Sequence, residues 1–365
     1  MFAGSAIYLD ICLKGIDKQK RWLYNWAMEV EFMNTDYIHK IVKASGVAAG
    51  ETVLVHFWGE DTDKGIANEF VASVASMGAT PILLQQARTI NYAIFQNAKA
   101  ECFGEGYFER FSQFDTVLDV FTYQPIVLGY KLEPEQMTLY RKYISSLFYA
   151  LMKAKRFTQI RIPTAANAEE SSLEPAEYVR RMEAAYDIDY DKLLTECTDA
   201  KEKMERHAQY ILRTGEGCEL HFDLTGRQWH IDAGDGDWPC GEIYIAPVED
   251  KTNGAVFFDK LFIEDVGAFE RVTLTVVDGK IVGSDCEAVT GFIQSLSPEK
   301  TVVCELGLGM NPNVNDACGY TVLDEKMAGS FHIAIGANNM FGGQNEAKMH
   351  MDFASGGSFE LFPVK

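Results

Sequence analysis

The sequence predicts an α/β N-terminal domain built on a parallel sheet, followed by a β-rich α+β C-terminal domain. Three observations predict it. A strand–helix–strand unit follows Asp36, a long charged helical run reaches Arg213, and after Gly215 the texture changes to short strands punctuated by turns. At 365 residues the chain is also too long for one compact core. We divide it into a helical N-terminal extension over 1–35, an α/β domain over 36–213 and a β-rich domain over 214–365.

The extension is rich in aromatics, and Trp22, Trp26 and Met33 are expected to dock on the protein's own surface or on a twin subunit. Residues 53–57 (VLVHF) read as a buried strand, 65–77 as an amphipathic helix stopped by Gly78, and 81–84 as the next strand. Two strands joined by a helix over about thirty residues make a right-handed βαβ unit. The link after the first strand reads GEDTDKG and lacks G-x-G-x-x-G, so neither a nicotinamide nor a flavin is indicated. Further strands are expected at 116–121 and 159–163. The charged run over 175–213 should be helical with a break near Asp187–Asp191. In the second half CELHFDL, GEIYIAP, GAVFFDKLF, VTLTVVDGKIV, TVVCELGLG, GSFHIAIG and AKMHMDFA read as strands. The Asp-Gly of VVDGKIV signals a tight hairpin.

Composition narrows the function. Hydrophobic residues make up 47% and charged residues 24%, a globular balance. A net charge of -20 repels phosphate backbones and argues against a nucleic-acid partner. The eight cysteines, at 12, 102, 197, 218, 240, 286, 304 and 318, include no C-x-x-C pair. Several sit in apolar runs, as Cys304 does in TVVCELG, where a reduced thiol behaves as a small hydrophobe. Together with an N-terminus broken by Asp10, Lys14 and Asp17 and no apolar stretch of membrane-spanning length, this points to the cytoplasm.

The chemistry is expected in the β-rich half, where ionisable residues interrupt strands that otherwise read as core. His350 and Asp352 are two apart on one strand and share a face. His332, Ala334 and Gly336 share another, and the small residues leave room beside the imidazole. Glu305 follows uncharged residues and precedes glycines, while Glu242 shares its face with Tyr244. Taken singly, each has an ordinary explanation. His332 could be a hydrogen-bonded core histidine, Glu242 a strand-edge carboxylate, and Glu305 half of an ion pair with Lys326 or Arg271. Taken together, buried carboxylates and imidazoles can satisfy one another through a divalent ion. The ligand types suit zinc, cobalt, manganese or iron.

The segments PCGEIYIAPVE, ELGLGMNPN, DEKMAGSFHIAIG and HMDF, in that order, resemble the motifs of the M29 aminopeptidases, the aminopeptidase T and aminopeptidase S group. GETVLVHFWGEDTDKGIANEFVASVASMGATP resembles the start of that family's N-terminal domain more weakly, and the resemblance spans roughly residues 36–360. Motif by motif, it implies metal ligands at Glu242, Glu305, His332, His350 and Asp352. It further implies two divalent ions (zinc, cobalt or manganese) bridged by Glu305 or Asp352, short peptides as substrates, and a homodimer. Glu249 in APVED, seven residues past Glu242, is the candidate general base. In family peptidases a tyrosine ligand follows the H-I-A-[L/I]-G motif; here Asn339 stands nearest that position and the segment up to His350 is shorter.

The same superfamily includes 2,5-dihydroxypyridine dioxygenases. On that alternative, His332, His350 and Asp352 would form a 2-His-1-carboxylate triad for one Fe(II), with Tyr244, Phe341 and Phe353 as candidate pocket aromatics. A third reading is a non-catalytic dimeric scaffold that keeps a vestigial site. Retention of both glutamates ranks the peptidase reading first.

Overall fold

A computed structural model of the chain describes residues 35–125, 128–263, 266–355 and 357–364. The expected extension over 1–35, with Trp22, Trp26 and Met33, lies outside the described residues apart from its last position.

Helix α1 (Thr35–Ala44) buries Ile38, Ile41 and Val42, whose three- and four-residue spacing makes one apolar stripe. Strand β1 (Thr52–Trp58), helix α2 (Lys64–Ser76) and strand β2 (Thr80–Gln86) realise the expected βαβ unit. Helix α3 (Arg88–Phe95), β3 (Thr116–Phe121), helix α4 (Pro134–Leu151) and β4 (Arg156–Arg161) follow, β4 starting three residues before its expected position. The charged run divides into α5 (Pro175–Tyr186) and α6 (Tyr190–Met204), and the Asp189 side chain caps α6 by accepting from the Lys192 amide. The run was expected to stay helical to Arg213; instead it ends in β5 (Gln209–Arg213), where Tyr210 and Leu212 alternate inward. Period two prevails there because Leu220 and Phe222 of β6 (Glu219–Asp223) offer a strand to pair with.

The remaining strands are β7 (His230–Asp232), β8 (Asp237–Trp238), β9 (Glu242–Ile245), β10 (Asn253–Ile263), β11 (Gly267–Val277), β12 (Lys280–Ser284), β13 (Val303–Gly309), β14 (Phe331–Gly336), β15 (His350–Ser355) and β16 (Glu360–Pro363). Helix α7 (Glu287–Ser295) follows β12. The Asp278-Gly279 turn has φ of 47° and 75° at its two positions, the left-handed pair that an Asp-Gly hairpin requires.

Three sheets result. The first, in order β2-β1-β3-β4-β8, is parallel. The second, β12-β11-β10-β6-β5-β16, and the third, β15-β14-β13-β9-β7, are antiparallel. The halves interlock: β8, from the second half of the chain, forms an edge of the first sheet. Buried Asn311 donates to the carbonyls of Ala185 on α5 and of Cys240 between β8 and β9.

The third sheet has one oily face. Ile243, Ile245, Leu306, Phe331, Ile333, Ile335 and Phe353 are all buried there and join the main core. Burying side chains of that size stabilises the fold by roughly 1.5–3 kcal/mol each. Because side chains alternate, the opposite face is fixed by the same register, and it carries the polar cluster.

Candidate metal centre

The polar face is a lattice in which each reactive residue sits beside a small one. Glu305 on β13 lies across from Ala334 on β14, and Ala334 from Asp352 on β15. His332 lies between Gly307 and Ala354, His350 across from Gly336, and Glu242 on β9 across from Gly309. Alanine or glycine at the intervening positions lets large polar groups lean together. Gly307 is the sharpest case, since a Cβ there would meet His332 Nε2 at 2.0 Å. A bulge at Cys304, between Val303 and Glu305, shifts the register. The Cys304 thiol lies 3.6 Å from His350 Nδ1.

Glu305 links both histidines. Its Oε1 is 3.2 Å from His332 Nε2, and its Oε2 is 3.3 Å from His350 Nε2. His332 Nε2 also lies 3.3 Å from Glu242 Oε2, and His350 Nε2 lies 3.5 Å from Asp352 Oδ1. Two groups therefore converge, Glu242 with Glu305 and His332, and Glu305 with His350 and Asp352, each offering ligand atoms within 4.8 Å of one another. His350 Nδ1 donates to the Ala337 carbonyl at 2.8 Å, which turns Nε2 toward the cluster.

Electrostatics fit a cation site. Burial works against charge on Glu305, but hydrogen bonds to His332 and His350 hold its carboxyl down at about 2. Burial would lower His332, yet Glu305 and Glu242 raise it to about 9. Buried carboxylates thus draw protons onto imidazoles that would exchange them for metal. Glu242 Oε2 has no hydrogen-bond donor although it is buried, an atom that a bound cation would satisfy. Three carboxylates and two imidazoles form the mixed oxygen–nitrogen donor set of divalent transition metals.

Beneath the cluster lies a network the sequence reading missed. Lys326, 2% exposed, has its ammonium 2.5 Å from Glu242, 3.0 Å from Glu325 and 3.4 Å from Asp232. An ion pair of Lys326 with Glu305 was one expectation, but Lys326 pairs with Glu242 instead. Arg271, the other suggested partner, has its guanidinium over the Phe257 ring. Desolvation raises Asp232 to about 7 and Glu325 to about 8, against the pull of Lys326. Asp232 shares a strand face with His230 in HID, a signal of the His-x-Asp type. Glu325 follows a single helical turn and carries no local sign of burial.

Glu249 is held by three donors. Arg227 reaches Oε2 at 2.5 Å, while the Asn338 side chain and the Gln344 amide reach Oε1 at 3.1 and 2.6 Å. Asn339 is exposed in the following turn. Of the expected pocket aromatics, Tyr244 stacks on His230 with centroids 5.3 Å apart, and Phe341 stands 5.4 Å from Tyr244 and 5.9 Å from His350. Phe353 points into the core on the other face. A cleft of about 970 Å³ opens over the site, lined by His350, Asp352, Glu325, Arg161, Glu169 and Thr321 among others. Among the described residues, no helix is long and apolar enough to cross a membrane. No disulfide joins the cysteines among them.

The family model described as thermophilic metalloprotease (M29) matches residues 40–357. Wild-type AmpT from Thermus thermophilus is similar in structure, with a TM-score of 0.64 at 17% identity over 89% of this chain and 94% of that one. The 2,5-dihydroxypyridine dioxygenase from Pseudomonas putida KT2440 is also similar, with a TM-score of 0.60 at 16% identity over 90% and 92%. No curated protein matches the chain.

Proposed function

The chain belongs to the M29 thermophilic metalloprotease family, and on that premise we propose that it is a metal-dependent aminopeptidase removing N-terminal residues from short peptides. The observation that carries the reading is Glu305, whose two oxygens face different histidines at 3.2 and 3.3 Å. One carboxylate shared in this way suits a pair of ions, Glu242, Glu305 and His332 holding one and Glu305, His350 and Asp352 the other. Ions held there would supply a water of lowered pKa and polarise the scissile carbonyl.

The chain's own residues do the rest. Lys326 fixes one oxygen of Glu242 and leaves the other toward His332. Acidic groups on the cleft wall (Asp352 and Glu169) attract the ammonium of a free N-terminus, which accounts for removal of terminal rather than internal residues. Hydrolysis adds water across the peptide bond, and its proton must reach the leaving amine. Glu325 is suited to carry it, because it lines the cleft and its carboxyl is pushed up to about 8. Glu249, the base suggested by sequence, is saturated with donors and in this reading braces the segment before β15.

The 2-His-1-carboxylate alternative needs His332, His350 and Asp352 around one iron. Each convergent group among the described residues instead joins a single histidine to Glu305, which favours the peptidase. The test is a panel of aminoacyl-peptide substrates with free or acetylated N-termini, assayed with and without a chelator. Cleavage of only the free substrates, abolished by the chelator, is expected. Indifference to the chelator, or cleavage of the acetylated ones, refutes the proposal.

A further inference from the structure

A second polar pair lies in the parallel sheet. His56 on β1 and Asp119 on β3 are register partners, and His56 Nδ1 is 2.8 Å from Asp119 Oδ1. The same carboxylate oxygen accepts from the Trp58 indole at 3.1 Å. β1 and β3, neighbours in the order β2-β1-β3, flank the sheet's topological switch point, and the pair lies two residues before the end of each strand. Beside it, lined by Leu147, Phe148 and Leu151 of α4, is a cavity of about 140 Å³.

Its polar wall is unfinished. The His56 side chain is 2% exposed, and neither ring nitrogen has a hydrogen-bond partner, Nδ1 lying near Asp119 without hydrogen-bond alignment. Asn167 also lines the cavity; its amide nitrogen donates to the carbonyls of Phe121 and Ile162 at 2.9 and 2.8 Å. Those bonds fix the amide orientation and leave the buried Oδ1 an acceptor without a donor. An unsatisfied imidazole nitrogen and an unsatisfied amide oxygen in a mostly apolar pocket call for a ligand that brings a polar hydrogen-bonding group. Arg161 in the wall disfavours a cationic one.

We infer that this cavity binds a small neutral molecule with a ring-sized apolar body and a hydroxyl or N–H group directed at His56 Nε2. The size suits that class, since an apolar cavity of about 150 Å³ admits benzene. Arg161 lines both this cavity and the large cleft, so an occupant would share a wall with the metal centre's cleft.

The experiment titrates the full-length protein with phenol, benzene and benzoate, following ligand NMR signals and Overhauser contacts to the Trp58 indole. Phenol should bind saturably near Trp58, with benzene and benzoate at least about tenfold weaker, a preference worth roughly 1.4 kcal/mol. His56→Phe should abolish that preference. The comparison among ligands on the unaltered protein stands even if the variant fails to fold. Absence of saturable binding near Trp58, equal affinity for benzene, or stronger binding of benzoate overturns the inference.

Discussion

Replacing Gly307 by alanine tests whether the small-beside-large lattice builds the site. The added Cβ would lie 2.0 Å from His332 Nε2 and 2.1 Å from its Cε1, whereas ordinary contact begins near 3.4 Å. The ring must therefore retreat by 3.4 minus 2.0, or roughly 1.4 Å. That movement takes Nε2 out of reach of Glu305 and Glu242, now at 3.2 and 3.3 Å. A misplacement of about 1 Å in a catalytic constellation can cost around 100-fold in rate. Overpacking costs about 1–3 kcal/mol of stability. The backbone has no objection of its own, since Gly307 is not among the positive-φ glycines. We expect a folded protein that loses about two orders of magnitude in kcat/KM and part of its metal. The readouts are substrate kinetics, elemental analysis and a urea melt. Full activity and full metal content in Gly307→Ala would refute the idea that this glycine makes room for His332.

Other perturbations separate the layers of the account. Lys326→Met leaves Asp232, Glu242 and Glu325 buried without their cation and should cost about 3–5 kcal/mol, read from urea denaturation; a loss under 1 kcal/mol would mean that water or a metal already compensates them. Ile333→Ala empties a fully buried position on the oily face and should lower stability by about 2–5 kcal/mol while metal content stays unchanged. Glu325→Gln should cut kcat by about 100-fold or more with KM little changed, and Glu249→Gln should cut it far less. The reverse ranking would return the proton-transfer role to Glu249.

Most strands of the fold were legible because their signals are local. Period-two alternation marked β13 through β15 and put His350 and Asp352 on one face of their strand; the register between strands then brings them together with Glu305 and His332. What escaped was decided by distant partners. Residues 209–213 have no helix-breaking signal and become a strand because β6 and β16 flank them. Strand β8 is two residues long and gains meaning only from β4. Lys326 belongs to the same class: the sequence offers it as a partner for Glu305, and nothing local in VLDEKMAG shows that Glu242, 84 residues earlier, comes within 2.5 Å instead. Spacing could show that the carboxylates were costly to bury; it could not show which cation answers each one.

The central claim is that Glu305 joins two metal positions, and the most direct test is metal stoichiometry on protein purified without chelators and under low oxygen. Two zinc, cobalt or manganese ions per chain, falling to one or none in Glu305→Gln, is the result this account predicts. A single iron lost in air, or stoichiometry that ignores the Glu305 substitution, would contradict it.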